Sequence, residues 1–233
     1  TSRLFLYRRY SIYLHLPKYS TLENRMKVLV TGFEPNDNGL NASKIVVGAL
    51  QKSLPVELSQ DGDQIYFQIL PGDINRLRAV IKDKLTSLSP DICIGVGQAR
   101  GYNKIAIERM AKNLRHFVTP DEAGNTPQGV PIISDAAIAY WHSLHNLEGL
   151  VPLLENHHIP ARVMNDCGTH LCNQAFYLYL HWKERCKPSM RVGFVHIPAV
   201  PEQVIKYWPE APFMPLEMTC EALALIISSQ LEA

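Results

Sequence analysis

"DICIGVGQARG", residues 91–101, decides the fold. Its first seven residues hold one acid and then almost nothing but apolar side chains and glycine, and the run stops at a polar, glycine-containing turn. A short apolar run bounded by turn signals reads as a strand buried on both faces, and such strands lie centrally in parallel sheets. Working outward, "KVLVTGF" (27–33), "QIYFQIL" (64–70), "ARVMND" (161–166) and "RVGFVHI" (191–197) read as further strands. Helical segments fall between them. "SKIVVGALQKSL" (43–54) follows Asn41 or Ser43 as its cap, and "INRLRAVIKDKLTSL" (74–88) follows Asp73. In the latter, Ile74, Leu77, Val80, Ile81, Leu85 and Leu88 recur at helical spacing. Helices are also expected near 148–158, 173–185 and 216–231. Strands alternating with helices predict an α/β fold, a three-layer α/β/α sandwich on a largely parallel, twisted sheet.

The composition sets bounds on function. The chain has 233 residues, 46% hydrophobic and 19% charged, with a formal net charge of +1. That balance argues against a nucleic-acid surface, which needs concentrated basic charge. No apolar run approaches the roughly 18 residues of a membrane span. Five cysteines without a disulfide spacing favour reduced thiols and a cytoplasmic location. Residues 1–25 are basic, with a single acid, and read as an extension before a start at Met26, an organelle transit peptide being the alternative; 26–233 read as one domain.

Ligand sites in such sheets gather at strand ends. There the chain places "TGFEP", "GQARG", "NDCGTH" and "HIPAVPEQ", while 114–146, rich in Pro, Gly and Asn, is a long excursion able to overhang them. Cys172 stands at the start of a helical segment, where the helix dipole favours a thiolate. An isolated cysteine there is also ordinary packing. A short strained disulfide to Cys167 is the other alternative. His196, at the end of an apolar strand, is the histidine placed to meet the same rim. No Cys-x-x-Cys or His-Glu-x-x-His spacing supports a metal site, so none is expected.

Taken together, "KVLVTGFEP", "DICIGVGQA" followed by "IERMAKN", "TPDEAGNTP", "AAIAYW", "CGTHLCNQAFY" and "GFVHIPAVPEQ", in that order, resemble the pyroglutamyl peptidase I family of cysteine peptidases. The resemblance implies a phosphorylase/hydrolase-like sandwich, no cofactor, a homo-oligomer (dimer or tetramer), and peptide substrates with a blocked N-terminal residue. It places the nucleophile on Cys172, the histidine on His196 and the acid on Glu108. Phe33, Asn36, Asn41, Gln98 and His170 fall at the substrate pocket, and backbone groups of Leu171 and Cys172, with Gln98, at the oxyanion. Three positions depart from the family pattern. Asn36 replaces a pocket phenylalanine, His170 replaces an apolar or aromatic residue, and Val118 stands where an arginine is usual, with Arg115 three residues earlier. The departures leave a second implied reading: a homologue acting on a different N-terminal group, or a binding protein of low activity.

Overall fold

Side-chain alternation with period two governs the sheet and, through it, the site. In this computed structural model, residues 25–35, 39–55, 58 and 63–233 are described; the basic segment 1–24 and Asn36 lie outside them. Six strands form the main sheet: β1 (Lys27–Phe33), β2 (Gln64–Leu70), β3 (Ile92–Gln98), β4 (Ile105–Glu108), β7 (Ala161–Met164) and β8 (Arg191–Ile197), in the order β2-β1-β3-β8-β4-β7. A two-stranded ribbon, β5 (Met110–Lys112) with β6 (Ala139–Trp141), stands apart. β2, β1, β3 and β8 run parallel, whereas β4 is antiparallel to β8 and parallel to β7. The "DICIGVG" strand is interior, as its composition demands.

Alternate residues of each strand feed two cores. Val28, Val30, Ile92, Ile94, Val96, Ile105, Ile107, Val195 and Ile197 pack with α1 (Ala42–Lys52), α3 (Leu147–Asn156) and α6 (Leu216–Leu231). Leu29, Phe33, Cys93, Val192 and Phe194 pack with α2 (Ile74–Leu88) and α4 (Leu171–Cys186). The result is a three-layer α/β/α sandwich. A short α5 (Pro201–Tyr207) follows β8. Helix starts match the cap chemistry: Asn41 Oδ1 accepts from Ser43 N, and Asp73 Oδ1 accepts from Asn75 N, each satisfying a first-turn donor.

The strand β4 escapes a reading of the sequence. It is only four residues long and opens into charged residues. A second difference concerns direction. Because β4 and β7 oppose β8, the loop 165–170 leaves the sheet at the opposite ends from those where β1, β3 and β8 finish. Even so, Met164 pairs with Glu108 and His196 with Ala106, so the loop emerges only a residue or two from His196.

Candidate active site

The alternation that separates the cores also aims the chemistry. Gly97 pairs with His196, and His196 pairs with Ala106. Glu108, two residues beyond Ala106, therefore projects from the same sheet face as His196, the face covered by α4. The last two positions of β3 on this face are Gly95 and Gly97. A Cβ on Gly97 would lie 2.8 Å from Cys172 Sγ and 2.9 Å from Phe194 Cε1. The missing side chain is what lets α4 lower its first turn, with Cys172, onto the sheet.

His196 Nδ1 and Glu108 Oε1 are 2.8 Å apart, with Glu108 fully buried and His196 nearly so. The Cys172 sulfur lies close enough to act on the charge of the same imidazole; with Nδ1 turned to Glu108, Nε2 is the nitrogen left to face sulfur. Burial works against a charged ring, but the Cys172 sulfur and then Glu108 outweigh it and push His196 up to about 10. Two sulfurs approach this ring, and they differ. Cys172 is half-buried and lines a cavity of about 180 Å³. Cys167 is buried, does not line that cavity, and burial pushes its thiol well above the ordinary range. All five cysteines are free, so the strained Cys167–Cys172 disulfide is not formed.

The cavity brings together most of the residues the sequence singles out: Phe33, Asn41, Gln98, His170, Leu171 and Cys172. The excursion overhangs it, as expected, through Thr119, Pro120, Asp121 and Glu122. Asp121 anchors this wall. Its carboxylate accepts from Ile74 N at 2.9 Å, Ala123 N at 3.0 Å and Asn125 N at 2.8 Å. His170 holds the wall from the other side, its ring 3.9 Å from that of Phe117 and its Nε2 3.1 Å from Thr119 O. Burial keeps that imidazole below the usual histidine range. Arg115 does not line the cavity and donates instead to Pro131 O, and Val118 points to solvent at 88% exposure. Neither supplies a cation here.

Several contributors are not apparent from the sequence. Gln98 Oε1 accepts from Ala42 N and from Gln203 Nε2, both at 2.8 Å, so the Gln98 amide nitrogen is left to the cavity. Gln203, itself buried, is the residue that fixes this orientation. Asn173 clamps α4 to the ribbon, accepting from Lys112 N and donating to Lys112 O and Leu114 O. Tyr102 packs edge-on to His196, its ring 6.2 Å away, under the Arg162 guanidinium at 4.3 Å. The "PEQ" and "CN" pairs in the motifs were the available signals for Gln203 and Asn173. Tyr102 and Arg162 carried none.

Comparison with known proteins identifies the family. Residues 26–233 match the family described as pyroglutamyl peptidase. Among curated relatives, the pyrrolidone-carboxylate peptidase of Bacillus cereus is 34% identical over 203 residues, 86% of this chain and 90% of that protein. That of Thermococcus onnurineus is 34% identical over 209 residues, 89% of this chain and 100% of that protein. The crystal structure of Bacillus amyloliquefaciens pyroglutamyl peptidase I superposes with a TM-score of 0.81 at 32% identity, covering 90% of this chain and 98% of that one. A mutant pyrrolidone carboxyl peptidase from Pyrococcus furiosus gives 0.82 at 33% identity, covering 89% and 99%. With its motifs, its fold and its full-length likeness in agreement, this chain belongs to the pyroglutamyl peptidase family and is a cysteine omega-peptidase.

Proposed function

We propose that the chain removes an N-terminal pyroglutamyl group from peptides, with Cys172 as nucleophile, His196 as proton carrier and Glu108 as the group that orients the ring. One observation carries this reading: His196 Nδ1 lies 2.8 Å from Glu108 Oε1, and the same ring is near enough to feel the charge of Cys172, the one sulfur that opens onto the cavity. The Cys172 thiolate attacks the carbonyl carbon that joins the pyroglutamyl group to the next residue. The carbonyl electrons move to oxygen, and the collapse of that oxyanion expels the amine, which takes its proton from His196. A water molecule, deprotonated by His196, then cleaves the thioester and returns the sulfur. The backbone N–H groups of Leu171 and Cys172 are first-turn donors of α4 without intrahelical acceptors, and His170 offers no side-chain cap to occupy them. Together with the Gln98 amide nitrogen they face the developing oxyanion. Phe33 supplies the flat apolar wall for the lactam, with Asn41 and His170 beside it.

A second substrate reading rests on the carboxylates. Glu34, Asp121 and Glu122 all line the cavity, which favours a more polar N-terminal group than the lactam. The peptidase unit is 26–233, acting without a cofactor on small peptides. Its free cysteines support a cytoplasmic setting; among the described residues no helix is long and apolar enough to cross a membrane. Exposed Ile138, Trp141, Ile205 and Phe213 support a homo-oligomer, dimer or tetramer, which light scattering would count.

The deciding experiment is hydrolysis of pyroglutamyl p-nitroanilide, with other N-terminal anilides in parallel. Cys172→Ala should lower kcat by at least about 10⁴-fold, the scale on which a covalent nucleophile is lost, and Cys167→Ala should remain active. Turnover surviving in Cys172→Ala but lost in Cys167→Ala would reverse the assignment of the nucleophile.

A further inference from the structure

Glu108, Cys167 and His196 make a second constellation on the same imidazole. Each offers one ligating atom, these atoms all lie within 4.8 Å of one another, and all three residues are buried. The hydrolytic cycle leaves part of this set unused. Glu108 Oε1 meets His196, yet Oε2 is buried with no hydrogen-bond partner. Cys167 is a buried thiol that no step of the cycle requires. A buried oxygen without a partner is costly, so the fold tolerates here a lone pair that a cation would satisfy. Zinc bonds of about 2.0–2.3 Å put ligating atoms about 3.3–3.8 Å apart in a tetrahedron, so side-chain shifts of roughly an ångström would close this set.

We propose that Glu108, Cys167 and His196 form a binding site for a thiophilic divalent cation, Zn²⁺ fitting best, and that its occupancy arrests the peptidase. The donor set is one carboxylate, one thiolate and one imidazole. That mixture suits zinc and is foreign to Mg²⁺ or Ca²⁺, which take oxygen ligands. On binding, the Cys167 thiol and the His196 imidazolium each release a proton to solvent, and the freed ring-nitrogen lone pair goes to the metal. The imidazole then lacks the lone pair that receives the thiol proton, and Glu108 turns from the ring to the cation. Spacing in the sequence conceals the site because its ligands come from β4, the loop after β7, and β8.

The arrest rests on the catalytic reading above, so binding and activity are measured separately. Co²⁺ is titrated into the full chain carrying Cys172→Ala, which cannot turn over. Near-ultraviolet sulfur-to-cobalt charge transfer, with tetrahedral visible bands, is expected at one equivalent. Adding Cys167→Ala should abolish these bands; their absence from the single variant, or their persistence in the double variant, overturns the site. In the peptidase assay, Zn²⁺ should inhibit the wild type. Cys167→Ala and Cys167→Ser, checked for folding by circular dichroism, should require more than about tenfold more zinc, since even an outer partner of a metal ligand is worth roughly 10–100-fold in affinity. Equal zinc sensitivity in all three proteins overturns the proposal. A wild type that binds cobalt yet hydrolyses undiminished would tell against the role of His196 in catalysis while leaving the site in place.

Discussion

His196 owes its charge to neighbours contributed by distant parts of the chain. Burial alone would discharge the ring, yet the Cys172 sulfur and the Glu108 carboxylate push it up to about 10. Removing an anion from beside a cation lowers the cation's pKa, so Cys172→Ala should move the His196 titration to lower pH. Side-chain ¹⁵N NMR would show this, and an unmoved titration would mean that sulfur and ring are not in contact. The same sign applies to catalysis. In the proposed cycle the imidazolium gives its proton to the leaving amine, so kcat/KM should fall on the alkaline side as His196 deprotonates, and Glu108→Gln should bring that fall to lower pH. Gly97 acts at the same scale by having no side chain. Its Cβ would stand 2.8 Å from Cys172 Sγ; because a misplacement of about 1 Å costs about 10²-fold in rate, Gly97→Ala should lose at least that much kcat. Circular dichroism should show the fold retained. Of these residues, Cys172 and His196 were legible from helix-start and strand-end positions. Gly97 looked like any glycine in "GVG", because the atom it makes room for is 75 positions away in sequence.

At the scale of elements, the cavity is held by ties between segments that do not neighbour one another in sequence. Gln203 on α5 and Ala42 on α1 both bond Gln98 Oε1 at the end of β3. Gln203→Leu removes the side-chain donor, and Gln98→Glu replaces the free amide nitrogen by an acceptor. Each should lower kcat more than it raises KM, by up to the roughly 10²–10³-fold typical of losing one oxyanion donor. A change confined to KM would show that Gln98 holds only the ground state. Asp121 ties the excursion to the start of α2. Burial opposes its charge, but bonds from Ile74 N and from Asn125 and Ala123 hold the carboxyl below its ordinary 3.8. A depressed carboxyl stabilises the fold above the unfolded value, and that contribution disappears as pH falls through the folded one. Asp121→Ala should therefore cost about 1–3 kcal/mol at neutral pH, and the difference from wild type in urea unfolding should shrink as the pH falls below 3.8 towards the folded value.

For the whole molecule, the sheet divides the packing into two cores and places all the chemistry on one side. Leu223, fully buried on α6, belongs to the far core. Leu223→Ala should cost about 2–5 kcal/mol in urea unfolding and leave kcat/KM within about twofold, because mutations far apart act additively; a large drop in kcat/KM would show the two faces to be coupled. The amino-acid sequence by itself determined the alternation of strand and helix, the interior place of "DICIGVG", the caps at Asn41 and Asp73, and the motifs that name the family. These are local signals, fixed by side-chain period and by cap and turn chemistry within a few residues. Only the tertiary structure decided that β4 inserts against β8 in the opposite direction. It likewise decided that Glu108 thereby faces His196, that Gln203 orients Gln98, and that Cys167 stands within 4.8 Å of the Glu108 carboxylate and the His196 imidazole. A hydrogen bond or a ligand set between residues tens of positions apart depends on strand register and direction, which pairing with other strands sets and no local pattern encodes.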